Sequence, residues 1–499
     1  MSSQTPTPGQ FPAPQPMGQA PQGYAAQPQA LAAPVPAKRP YRKGLVAAAA
    51  ASLVAGVAAV SVAGYMTFAH NSTGASSPEE LVSSLDAAIE KSDLVALSGL
   101  ISPADMANAV EVQDVVGDLF KVDELVGTDA LRAYGKHIVV HDNTLETSVE
   151  KYTDDLAKIN INTWKIDLEV KSELGNELAE RWRAARGDKI TPMENLALSQ
   201  VGQEFKSERT QIDVVNEATN SGAALALMAV REDGRWYVSP SLSQDESTAA
   251  SSGIVPNYQA DYLNIKSDAG TPEEAVQRFV EALTKVSQPQ DFAAEDVIRY
   301  LPLAERRRAA IYGASALEQL SETVAKPNFG DAHGVEEMIS ALNGAEITWA
   351  LTSTEVDGGA IVSLGSTVVD FKGGFPGKRG AYRLQYDGAA ITATEDGILE
   401  GELDLNDRVA HPERFGIFTV QEDGGWRISA TSSALNLFTL GASESTLASV
   451  GSLMSGADPS LSLIFGGADT LVEIGRGSPL VGTLIAFFDA MAELNSPNL

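Results

Sequence analysis

The chain has no cysteine and only five histidines among its 499 residues. The first absence rules out a disulfide framework, a thiolate nucleophile and any zinc site built on sulfur. The sequence also lacks a G-x-S-x-G elbow, an H-E-x-x-H helix and an intact phosphate loop. Gly373 to Gly380 imitates the last of these, but its first glycine is misplaced and Arg379 stands where a magnesium-binding hydroxyl belongs. No catalytic residue and no cofactor is therefore assigned. His137, His141 and Asp142 offer three metal ligands without a fourth and read as surface residues, so no metal is assigned either. Asp331-Ala332-His333 is equally unspecific.

Charge is missing in two places. No acidic or basic side chain occurs from Met1 to Ala37, where Pro, Gln, Ala and Gly dominate. Such a segment buries too little apolar surface to offset its ordering entropy, so residues 1–37 are expected to be a disordered cytoplasmic tail. None occurs again from Leu45 to Ala69. As a helix that run reaches about 37 Å at about 1.5 Å per residue, enough to cross a bilayer. Lys38, Arg39, Arg42 and Lys43 form a basic segment at 38–44 ahead of it, while Glu79, Glu80 and Asp86 lead the charges after it. Cations stay on the cytoplasmic side, so these four residues set the topology: amino terminus inside, a single transmembrane helix at 45–69, the remainder outside the cell membrane. The rival reading, a cleaved signal peptide, fits the length of the run and its distance from residue 1 less well. Ala51, Ala55, Ala59 and Ala63 give the span one smooth face, which allows a homo-oligomer through close helix packing.

Of 36 Lys and Arg, four precede the span, leaving 32 against 66 Asp and Glu, a formal net charge of −34 beyond it. That surface repels nucleic acid and excludes it as a partner.

The part beyond the span repeats itself. Ser77-Pro78-Glu79-Glu80 and Thr271-Pro272-Glu273-Glu274 are capping boxes with proline at the first helical position. Leu81, Val82, Leu85, Ala88 and Ile89 follow the first at helical spacing, and Ala275, Val276, Phe279, Val280 and Leu283 follow the second. Asp93 with Asp291, Pro103 with Pro302, Trp164 with Trp349 and Glu232-Asp233-Gly234 with Glu422-Asp423-Gly424 recur in the same order, 185 to 199 residues apart. A colinear set at near-constant spacing indicates duplicated domains. Each half predicts helices first and antiparallel strands afterwards, closing on an Asp-Gly hairpin that carries Trp236 or Trp426, an α+β class. The expected layout is a first repeat at 76–245, a linker at 246–269, a second repeat at 270–435, and a Gly/Ser-rich segment at 436–499 with an apolar terminal helix. The four landmark tryptophans are read as packing residues.

The Thr271–Phe279 opening and the Asp-Gly-x-Trp endings resemble the nuclear transport factor two-like superfamily, in which helices close over a curved antiparallel sheet to make a cone. With the Pro/Gln-rich tail and the span, the arrangement is similar to anchored envelope proteins of actinobacteria. The resemblance implies a fold and a place, not an activity. The expectation is an extracytoplasmic binding or interaction protein of the bacterial cell envelope. The alternative is an envelope hydrolase or isomerase using a buried carboxylate in a cone-shaped pocket. One local feature suggests a ligand: Lys372, Lys378, Arg379 and Arg383 form a cationic island free of acids around a glycine-rich turn, and an anionic envelope polymer or envelope protein is its expected partner. The competing reading pairs these cations with a neighbouring acidic strand drawn from the acids that follow, Asp387, Glu395, Asp396, Glu400, Glu402, Asp404 and Asp407.

Overall fold

A computed structural model describes residues 73–107, 127–190, 207–220, 225–285, 294–316, 345–356, 358–372, 380–388, 390–404 and 416–433, with a few single positions between them. The tail, the basic segment, the span and residues 434–499 lie outside the described residues. Among the described residues no helix is long and apolar enough to cross a membrane.

The chain is mixed helix and antiparallel sheet. In the first half α1 (Pro78–Glu90) and α2 (Leu94–Ser98) precede α3 (Thr128–Gly135). The long strands β1 (Ile138–Lys151) and β2 (Leu156–Val170) follow. Then come α4 (Glu173–Arg186), β3 (Glu208–Asp213), α5 (Val214–Asn220), β4 (Ala226–Glu232), β5 (Arg235–Ser239) and α6 (Pro240–Ser252). The sheet runs β1-β2-β4-β5, with β3 on the far end of β2. Register shifts at Val140/Asp142 and Glu146/Thr147 bend β1, which gives the sheet its curl.

The second half opens with α7 (Pro272–Leu283), α8 (Glu295–Ile298) and α9 (Leu303–Arg308), the last running into a π turn at Ala309–Gly313. Its strands are β6 (Ala345–Thr348), β7 (Thr352–Val356), β8 (Gly359–Ser363), β9 (Val368–Phe371), β10 (Tyr382–Tyr386), β11 (Ala390–Glu395), β12 (Ile398–Asp404), β13 (Ile417–Glu422) and β14 (Gly425–Ile428). They form two antiparallel sheets, β12-β11-β10-β9-β6 and β14-β13-β8-β7.

Both capping boxes form. Ser77 accepts from the Glu80 amide and Thr271 from the Glu274 amide. The glutamates reach back one residue past the cap, to the amides of Ser76 and Gly270, each at 2.8 Å. Both Asp-Gly turns place two successive residues at positive φ, 48° and 79° at Asp233-Gly234 and 53° and 78° at Asp423-Gly424. That is the type I′ geometry matching the twist of a two-residue hairpin.

The endings of the halves share a hydrogen-bond pattern at an offset of 190 residues. Ser239 and Ser429 accept from the amides of Leu242 and Ser432. Ser243 and Ser433 donate to the carbonyls of Ser239 and Ser429 and accept from the amides of Met228 and Phe418. The amides of Val238 and Ile428 donate to the carbonyls of Leu100 and Tyr300, tying each last strand to the segment ahead of a helix.

One core belongs to the first half, with Leu81, Leu131, Ile159, Trp164, Leu168 and Trp236 at its centre. A second core is shared. Leu156, Met228, Val230 and Leu242 from the first half pack with Val276, Phe279, Leu301 and Ile428 from the second. Ile254, Tyr262, Ile265 and Ala269 are buried in the same cluster. The segment 246–269 thus continues α6 and then packs as core. Ile254, Tyr258, Tyr262, Ile265 and Ala269 fall at helical spacing, yet past Ser252 the segment forms no helix, so periodicity alone does not describe how it packs.

Candidate functional site: a buried ionic junction

Leu303–Arg308 ends in three consecutive arginines. Successive residues of a helix diverge by about 100°, so three in a row must point three ways. Each finds a different carboxylate. The Arg306 guanidinium donates to the carbonyls of Tyr262 and Leu301 at 2.7 and 2.9 Å and to Glu422 Oε1 at 3.2 Å. Arg307 crosses into the first half, where its Nη2 donates to Glu232 Oε1 at 2.7 Å and its Cζ lies 5.7 Å from the centre of the Tyr262 ring. Arg308 forks onto Asp245 of α6, Nε to Oδ2 at 2.6 Å and Nη2 to Oδ1 at 2.8 Å.

Around these pairs the first half supplies further acids. Glu232 also accepts from the Ser102 hydroxyl at 2.7 Å and the Ala104 amide at 3.0 Å. Glu246 accepts from Lys158 Nζ at 2.6 Å and from the hydroxyls of Tyr258 and Tyr312 at 2.7 and 2.9 Å. Tyr258 stacks on Tyr152, ring centres 3.8 Å apart. Asp105 Oδ1 accepts from the Ser241 hydroxyl at 2.7 Å. Asp105 Oδ2 and Arg307 Nε and Nη1 are buried with no hydrogen-bond partner among the described residues. In the second half Glu305 accepts from the amides of Ala430 and Thr431 at 2.9 and 2.8 Å.

Burial sets the protonation chemistry here. It pushes Asp105 and Glu305 above the usual carboxylate range, against the pull of Arg307 on Asp105 and of the Thr431 and Ala430 amides on Glu305. It lowers Arg306, and it lowers Arg427, which also faces Arg306, to about 10. Burial also works against the charge on Arg307 and Arg308, but Glu232 and Asp245 outweigh it and hold both above the usual arginine range. Tyr312 is raised by burial and by Glu246. The arrangement clamps one half to the other with ion pairs largely shielded from solvent.

The residues singled out from the sequence lie elsewhere. Lys372 pairs with Glu346 of β6, and Arg383 of β10 forks onto its cross-strand neighbour Asp370 at 2.6 and 3.1 Å. Both counter-ions precede the island in the chain and come from strands β6 and β9. Lys378 and Arg379 lie outside the described residues, as do Lys38, Arg39, Arg42, Lys43 and the Asp331–His333 triplet. His141 sits 3.2 Å from Glu169, and no group of three or more His, Asp or Glu suited to a metal occurs among the described residues. Trp164 and Trp236 are core residues, and Trp426 packs against the shared core. The arginine run was the missed signal. Three adjacent cations, beginning four residues after the proline that caps the helix, fan over about 200° of its surface in a strongly acidic chain, so they reach carboxylates on different sides.

No family model, curated protein or solved structure matches the chain.

Proposed function

We propose that the chain is a single-pass membrane protein, amino terminus in the cytoplasm, whose acidic part is an extracytoplasmic binding or interaction body of a bacterial cell envelope. Two tandem α+β repeats, 76–245 and 270–435, resembling nuclear transport factor two-like cones, make up that body. The recurrence of the Ser239 and Ser429 hydrogen-bond sets at one offset supports the duplication. The observation that carries the binding reading is the junction: Glu232, Asp245 and Glu246 are engaged by Arg307, Arg308 and Tyr312 of the other half, which makes a rigid platform. Rigidity of this kind preorganises a surface for a partner.

An anionic envelope polymer is the ligand class the cationic island suits. Lys372 and Arg383 already have partners, so that claim leans on Lys378 and Arg379. It is tested by retention of residues 71–499 on isolated anionic cell-wall polymer. Replacing Lys372, Lys378, Arg379 and Arg383 by Gln weakens retention in a salt-dependent way if the island binds. Unchanged retention at low salt removes the polymer as ligand.

The second reading, a hydrolase or isomerase, is favoured by one residue. Asp105 is a buried carboxyl with one oxygen unpartnered and its affinity for a proton raised by burial.

A further inference from the structure

We propose that the first half is completed by the second: Glu232, at the end of the strand before its last hairpin, takes its counter-charge from Arg307 across the junction, whereas Glu422, at the same step of the second half, is neutralised within its own half. The two glutamates are matched in other respects. Each stands directly before an Asp-Gly turn, and each caps a helix, Glu232 at the Ala104 amide and Glu422 at the Leu303 amide, 3.0 and 2.8 Å away.

They differ in which side chains bring the positive charge. Glu422 Oε1 lies 3.2 Å from Arg306 Nη2 and 3.3 Å from Arg427 Nε, both from its own half. In the hairpin register Arg427 stands opposite Val420 and Tyr237 opposite Val230, so tyrosine occupies the arginine's place in the first half. The helix starts give the second comparison. The amides that the glutamates cap, Ala104 and Leu303, and the prolines before them, Pro103 and Pro302, set the register of the two helix starts. In that register Ala107 stands where the second half has Arg306. Both cations are thus replaced by uncharged residues, Ala107 and the buried Tyr237.

Without Arg307, the other partners of Glu232 among the described residues are a hydroxyl and an amide, at a carboxylate that is 9% exposed. Asp105, whose Oδ2 is buried, adds a second acid to the field Arg307 neutralises. Removing one member of a buried pair strands the other, and the stranded charge is the dominant penalty. Of the two matched glutamates, only Glu232 depends on a cation from the other half. The surface carrying Glu232, Asp245 and Glu246 is a socket for an arginine-bearing helix, and α9 is the helix that fits it.

The equivalence of Tyr237 with Arg427 rests on the duplication proposed above, while the dependence of Glu232 on Arg307 rests on their contact, so the two fail separately. Hydrogen exchange on the full chain in detergent tests the dependence. Arg307→Met is expected to raise exchange about tenfold or more in β4, β5 and residues 100–106 while leaving β13 and β14 near wild type. Adding Glu232→Gln removes the stranded charge and is expected to restore most of that protection. Equal loosening of both halves overturns the proposal. So does a double variant that stays as loose as the single one, or that fails to fold where the single one also fails.

Discussion

Arg308 holds Asp245 with two parallel N–H···O bonds of 2.6 and 2.8 Å, and through them α9 grips α6. Both side chains are largely shielded, 13% and 19% exposed, so the pair is weakly screened by salt. Its strength lies in the planar fork, which a lysine does not reproduce. Arg308→Lys keeps the charge and is expected to cost about 1–2 kcal/mol in urea unfolding, with little change between low and high salt. A midpoint equal to wild type would show that charge alone, not geometry, secures the pair.

Asp167 on β2 is depressed to about 2, first by the hydrogen bonds from Arg209, which forks onto it at 2.8 and 2.7 Å. Its unfolded value is about 3.9. A depressed acid contributes stability that is present above the unfolded value and lost as pH falls through the folded one, here between about 4 and about 2. Asp167→Asn is expected to melt below wild type at neutral pH, and the gap is expected to close toward pH 2. A gap that stays constant across the acid range contradicts the ion pair.

Asp105 titrates in the opposite sense, because burial raises it. A raised acid favours the folded state at low pH, and that contribution is lost as pH rises past the unfolded value of about 3.9 toward the folded one. Asp105→Asn removes this loss. Measured against wild type, the variant is expected to gain stability as pH rises above about 4 and to keep that gain once pH passes the folded value. A difference independent of pH means that Asp105 is ionised at the same pH folded and unfolded, and it also withdraws support from the hydrolase reading.

Local signals were legible where one residue type dictates one geometry. Pro78 and Pro272 at helix starts, the Ser77 and Thr271 caps and the Asp-Gly turns at 233 and 423 all depend on contacts within a few residues. The Asp396-Gly397 hairpin, with φ of 51° and 81°, carries the same signal and was readable in the same way. What the sequence concealed depends on long-range partners. Nothing near Arg307 says that its carboxylate lies 75 positions earlier, or that Tyr262 and Ile265 in an apparent linker fill a core shared by two halves. The cationic island was legible as a cluster. Glu346 and Asp370 claim two of its members by strand register, which the composition of the segment does not express. The second half reads as helices followed by antiparallel strands, and nothing in that pattern divides the strands into two sheets.

We propose an anchored chain with its acidic body outside the cell, and protease accessibility on intact cells reports on that topology. With an epitope tag at residue 1, added protease is expected to digest the acidic domain while the tag and the span remain protected until the membrane is permeabilised. Loss of the tag in intact cells, or release of an undigested soluble chain beginning near His70, contradicts the account.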